Sequence, residues 1–206
     1  MMQPFFEILM DCLEEEIFVR EIRWKYHYDE PQLQVLAAVA VSMRGQIQED
    51  IQAGKAGWSC GTFRGKEMES VPVCITLGPG VDALQESYLA QGMLTEAYMV
   101  ENIAAELLLK AYPQWNEWVA AGGVCRVRRY HFPGSEPDYP VEKLPELLQI
   151  LQVPVTCTAG YCMLPKKTVA FYAELTLEEG ADCQGICANC GSRDCPNRTK
   201  NRMGED

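Results

Sequence analysis

The chain reads as an α+β domain, with a mixed, mostly antiparallel sheet and packed helices, followed by a short cysteine-rich tail. Three observations carry that expectation. Residues 168–177 place Val169, Phe171, Ala173, Leu175 and Leu177 at strict period two, the pattern of a strand with one buried face. Residues 32–52 and 95–112 instead space their apolar side chains at helical intervals. Strands and helices follow no regular βαβα alternation, which disfavours a doubly wound parallel sheet.

A length of 206 residues suffices for one sizeable core or a domain with a small appendage, here divided at 1–179 and 180–206. Hydrophobic content of 48% and charged content of 23% are those of an ordinary globular protein. A formal net charge of −11 argues against nucleic acid or an anionic membrane as the main partner, because both select basic surfaces. No apolar run approaches the roughly 20 residues a membrane helix needs. The first apolar patch lacks a basic flank and is followed at once by acids, unlike a secretory signal. Ten cysteines without such a signal point to reduced thiols in a cytoplasm.

Residues 2–14 suit a helix, with Phe5, Ile8, Leu9 and Leu13 on one side. Residues 17–28 alternate weakly and fit either strand or helix. Pro31 then opens a helix over 32–52, with Leu33, Leu36, Val39, Ala40 and Met43 as its stripe and Gly54 at its end. Residues 54–70 are rich in Gly, Lys and Glu and predict a loop or hairpin. The run VPVCITL at 71–77 predicts a buried strand stopped by Gly78-Pro79-Gly80. The TLGPG there does not match the GxGxxG of a dinucleotide-binding turn.

Helices are expected at 81–90 and 95–112, the second ended by Pro113 and followed by a short amphipathic piece at 115–121. Beyond Gly122-Gly123, a strand at 125–130, a helix at 141–151 and a strand at 153–158 precede the last strand. On a regular strand Arg126 and Arg128 share one face and Arg129 takes the other. In so acidic a chain, one of these arginines has reason to meet an anionic group such as a carboxylate.

The loop at 129–140 is the candidate small-molecule clasp. It holds an Arg, a His, two acids, a Tyr and three prolines, with Gly134 at its bend and firm elements on both sides. The two histidines, His27 and His131, show no arrangement suggesting a hydrolytic triad. Glu101 and Glu106 lie on a helix otherwise built to pack, and Glu106, between Ile103 and Leu107, could point at a groove. Met163 and Tyr161 are of types more often found in a core than against a ligand.

In the tail, Cys183, Cys187, Cys190 and Cys195 follow the spacing C-x3-C-x2-C-x4-C, with Pro196 after the last. Four thiolates satisfy an iron–sulfur cluster or a tetrahedral zinc ion, and the compact loop favours the cluster. A tail of reduced thiols binding no metal is the remaining alternative.

The order of an Arg–Pro-Gly loop, a short helix, TAGYCMLP and a final strand resembles the activation (S-adenosylmethionine-binding) domain of vitamin B12-dependent methionine synthase. It looks closest to stand-alone bacterial relatives of that domain that carry a cysteine tail. The resemblance rests on Arg129, Pro133 and Gly134 in RYHFPGS, on Thr158, Met163 and Pro165 in TAGYCMLP, on TLG at 76–78, and on Cys187, Cys190 and Cys195. It covers roughly residues 70–200. Ser135 stands where the family has a ligand-binding Tyr, with Tyr139 as the substitute. Tyr172 is one position from the family's last-strand Tyr, and Glu106 matches the acid of its long helix after a shift of one.

The resemblance implies a module that binds S-adenosylmethionine and assists reductive methylation of the cobalt in a cobalamin-dependent methyltransferase. It implies Arg129 against the methionine carboxylate, the Pro133-Gly134 backbone along the ligand, and Tyr139 or Tyr172 as a cover. Glu106 and Met163 complete the implied set. No DxHxxG corrinoid motif is present, so cobalamin enters only through a partner corrinoid protein. The alternative is a non-catalytic docking module, or a redox module that serves as electron donor through a cysteine-ligated metal or cluster.

Overall fold

The computed structural model describes residues 5–188. The helices are α1 (Phe5–Asp11), α2 (Glu16–Lys25), α3 (Glu30–Gln52), α4 (Pro79–Ala90), α5 (Leu94–Ala121) and α6 (Leu144–Leu151). The strands are β1 (Gly57–Cys60), β2 (Met68–Thr76), β3 (Arg126–His131), β4 (Thr156–Cys157), β5 (Met163–Leu164) and β6 (Thr168–Thr176). Four strands form one sheet in the order β1-β2-β6-β3, and every neighbouring pair is antiparallel. The protein is an α+β fold, as its patterning predicts.

Period-two alternation sends Val71, Val73 and Ile75 of β2 and Phe171, Ala173 and Leu175 of β6 to one face, and pairing sets Val127 and Tyr130 of β3 beside them. There they form the main core with buried side chains of α1, α2, α3, α4 and α5. The opposite face is covered only in part. The leucines of α6 (Leu144, Leu147, Leu148 and Leu151) bury Cys74 and Ala170 in a second, smaller core. The rest of that face, toward β3, forms the floor of a cleft.

Local chemistry explains most boundaries. Residues 17–28, which fit two states, turn helical because Phe18, Val19 and Ile22 reach the core from one helix face. α3 begins at Glu30, before Pro31, because Asp29 and Gln32 form a reciprocal capping box there. At the start of α4, Gly78 is the N-cap and offers no side chain. Asp50 of α3 replaces it, accepting the Gly80 N–H through Oδ2 at 2.5 Å. The first helix follows its expected stripe except at Ile8, which is exposed while Phe6 and Met10 are buried.

Three expectations are corrected. Pro113 does not end its helix: α5 continues through it to Ala121. An interior proline costs about 3 kcal/mol, whereas burying one large apolar side chain gains about 1.5–3 kcal/mol. Past Pro113, Trp115 packs on Phe171 and Trp118 on Trp58, so burial outweighs the missing bond. Residues 153–158 are not a strand of the main sheet. Only Thr156 and Cys157 pair, and they do so with β5, while Val153 and Val155 owe their apolar character to packing around α6.

The third correction concerns the arginines. β3 carries a bulge between Val127 and Arg129, so Arg126 pairs with Thr176 and Arg129 with Glu174. The extra residue, Arg128, absorbs one step of the alternation. Arg126 and Arg129 therefore share the outer face.

Candidate functional site

An open cleft of ≈ 1020 Å³ lies on the exposed part of the outer sheet face. Its floor follows from register. Ser59 of β1, Ser70 and Pro72 of β2, Tyr172 and Glu174 of β6, and Arg129 and His131 of β3 all project to the same side. Its walls are Thr62 and Arg64 from the β1–β2 connection, Glu136, Asp138 and Tyr139 from the 132–140 loop, and Lys143, Glu146 and Ile150 around α6. Charges of both signs and two tyrosines thus face one space.

The 132–140 loop is shaped at Gly134, where φ is 90°, and the Gly134 N–H donates to the Tyr139 carbonyl at 2.7 Å. That fold-back lays the Tyr139 ring on the His131 ring, 4.4 Å between centroids and 11° from parallel. Tyr172 lies against the Tyr139 ring at 5.2 Å, and Ser70 Oγ lies 3.2 Å from the Tyr139 hydroxyl. Lys143 reaches over the same ring at 5.4 Å and donates to the Asp138 carbonyl. Burial pushes the Tyr172 hydroxyl up from its ordinary range, and the nearby Glu146 and Tyr139 add to the effect.

His131 is only 6% exposed. Its Nδ1 faces both carboxylate oxygens of Glu136, at 3.0 and 3.1 Å, and its Nε2 faces Glu174 at 3.4 Å. With both nitrogens engaged, the ring ties the loop to the sheet and leaves no nitrogen for proton transfer to a substrate. Glu174 also faces Arg128 Nε at 3.8 Å, and Arg128 reaches Glu178 at 3.6 Å.

Arg129 differs from its neighbour. Its Nε donates to Gln184 Oε1 at 2.8 Å, and among the described residues no carboxylate pairs with it. Gln184 is placed by its own backbone, whose N–H donates to the Arg128 carbonyl at 2.9 Å. Cys183 and Ile186, on either side, pack against the main core. The first residues of the cysteine tail thus lie along the free edge of β3.

Arg129 and Tyr139, from the 129–140 stretch, and Tyr172, from the last strand, all expected at the site, line this one cleft. Pro133 and Gly134 belong to its wall loop and shape it without lining it. Glu106 lies elsewhere, on α5, where it accepts from Lys25 at 2.6 Å and from the Tyr26 hydroxyl at 2.8 Å. Burial, followed by the bond and charge of Glu106, pushes that tyrosine hydroxyl well up. Met163 packs against the small core under α6.

The sequence set His131 and Glu136 in the candidate clasp without a role of their own, and offered none for Glu174 or Gln184. Alternation along 168–177 already sets Tyr172 and Glu174 on one outward face. Gln184 carries no such signal, because it lies outside any periodic element. Among the described residues no three His, Cys, Asp or Glu side chains are grouped to hold a metal ion. Cys183 and Cys187 are among the described residues, while Cys190 and Cys195 lie outside them.

No protein-family model matches the chain, and no curated protein does.

Proposed function

We propose that the cleft binds S-adenosylmethionine and that the protein serves as a reactivation module for a cobalamin-dependent methyltransferase. The observation that carries this reading is the state of Arg129. Its guanidinium lines the cleft, is anchored through Nε by a neutral amide, and among the described residues its terminal N–H groups meet no carboxylate.

The remaining walls suit the other parts of the same molecule. Tyr172 offers aromatic surface for a flat base and Tyr139, whose ring is covered by His131 and Lys143, offers its edge, and Glu136, Glu146 and Glu174 bring negative charge for an ammonium and a sulfonium. A volume of ≈ 1020 Å³ lies at the upper end of small-molecule sites, about 300–1000 Å³. Glu106 and Met163 are no part of this reading. When bound, S-adenosylmethionine would supply a methyl group to cobalt on a partner protein and leave as the thioether, the one electron this reductive step needs coming from a separate reductase. The chain's own residues contribute binding, orientation and charge.

Calorimetry with S-adenosylmethionine tests the proposal. The native protein is expected to give a saturable heat, and Arg129→Ala to weaken binding about 10- to 100-fold, as for a charge-assisted hydrogen bond of about 1.5–3 kcal/mol. No heat at millimolar ligand, with the protein folded by circular dichroism, refutes it.

A further inference from the structure

We infer that Gln184, in the cysteine-rich tail, is a positioning residue of the cleft: it sets how Arg129 meets a carboxylate, and so makes the tail part of the binding site. The inference rests on the reading that the cleft takes a ligand with a free carboxylate.

A guanidinium offers a carboxylate two bidentate edges. One pairs Nε with a terminal nitrogen, and the other pairs the two terminal nitrogens. Here Nε is already committed to Gln184 Oε1 at 2.8 Å. The side edge is closed, and the end edge remains. Gln184 is exposed, and what fixes it is its backbone. Its backbone N–H is bonded to the Arg128 carbonyl, and Cys183 and Ile186 anchor the chain on both sides of it. The bulge that turns Arg129 to the outer face also presents the Arg128 carbonyl that holds the tail. A neutral acceptor at 184 orients the guanidinium without neutralising it. A carboxylate there would do both, and would compete with the ligand.

Binding of S-adenosylmethionine and of its decarboxylated analogue to the native protein, Gln184→Glu and Gln184→Ala distinguishes the possibilities. The native protein should prefer the carboxylate-bearing ligand. Gln184→Glu should lower that preference at least tenfold, through weaker binding of the carboxylate-bearing ligand and without weaker binding of the decarboxylated analogue. Gln184→Ala should lower it less. Equal loss for both ligands, or no change for either, overturns the inference. If the native protein binds neither ligand, the ligand assignment fails, and the positioning role is decided by nitrogen-15 NMR of the arginine side chains. Exchange of the Arg129 Nε–H that accelerates at least tenfold in Gln184→Ala upholds the role. Equal exchange in both proteins overturns it.

Discussion

The rings of His131 and Tyr139 lie face to face, 4.4 Å apart and 11° from parallel, although seven residues of irregular loop separate them along the chain. The loop closes on itself through the Gly134–Tyr139 bond and is tied to the sheet by Glu136 on His131. Tyr139 is consequently both a wall of the cleft and a clamp on the loop.

That double role separates two substitutions. Tyr139→Phe keeps the stack and loses only the contact with Ser70, so its cost in urea denaturation is expected at about 0.5 kcal/mol or less. Tyr139→Ala loses the ring contacts with His131 and Tyr172, worth about 0.5–1.5 kcal/mol each, and is expected to cost about 1–3 kcal/mol. Equal costs for the two would mean that the stack contributes nothing.

The start of α4 depends on closeness between two elements. A Cβ on Gly80 would lie 2.8 Å from Asp50 Oδ2, and one on Gly78 would lie 2.5 Å from it. Gly80→Ala is expected to destabilise by about 1–3 kcal/mol through this overlap. Asp50→Ala removes the cap and should cost about 0.5–2 kcal/mol. Because the second change also removes the obstacle, the double variant should cost less than the sum, as a denaturation cycle would read directly.

Pro113 invites the opposite experiment. It is exposed within α5, and it denies the carbonyl one turn earlier its helical partner. Pro113→Ala restores that bond without disturbing Tyr112 or Trp115, so the melting temperature should rise, with a gain of about 1 kcal/mol or more. A lowered melting temperature would show that the proline ring is itself required.

Glu101 provides a pH dependence with a definite sign. Burial opposes its ionisation, but hydrogen bonds from Lys167 and Gln85, with the charges of Lys167 and Lys166, outweigh it and hold the carboxyl below its ordinary range. A carboxyl whose folded value is depressed contributes stability above its unfolded value, about 4.3, and loses it as pH falls through the folded value. Lys167 is only 7% exposed, so neutralising Glu101 also strips a buried ammonium of its partner. Glu101→Gln should therefore be less stable than the native protein near neutrality. The gap should close in thermal melts as pH falls below the carboxyl range. A gap that stays constant with pH would assign Glu101 a purely steric role.

Much of the secondary structure was legible in the chain by itself. Period-two spacing at 168–177 and the apolar run at 71–77 marked the two central strands, because a half-buried pleat admits apolar side chains only at alternate positions. Helical spacing marked α3 and most of α5 for the corresponding reason. The absence of βαβα order, together with these periods, determined the α+β class. The irregular loop at 129–140 stood out as a clasp because its composition cannot build regular structure.

Tertiary structure alone decided the rest. Continuation of α5 past Pro113 depends on Trp115 and Trp118 finding Phe171 and Trp58, which no local rule contains. The face on which Arg129 appears depends on a bulge, and a bulge is a property of two paired strands. Glu106 and Met163, plausible ligand contacts by motif position, are directed elsewhere by Lys25, Tyr26 and the leucines of α6. Gln184 meets Arg129 across 55 positions of chain. Periodicity reports which way a side chain points within its own element; which charges then share a cleft is set by pairing between elements distant in sequence.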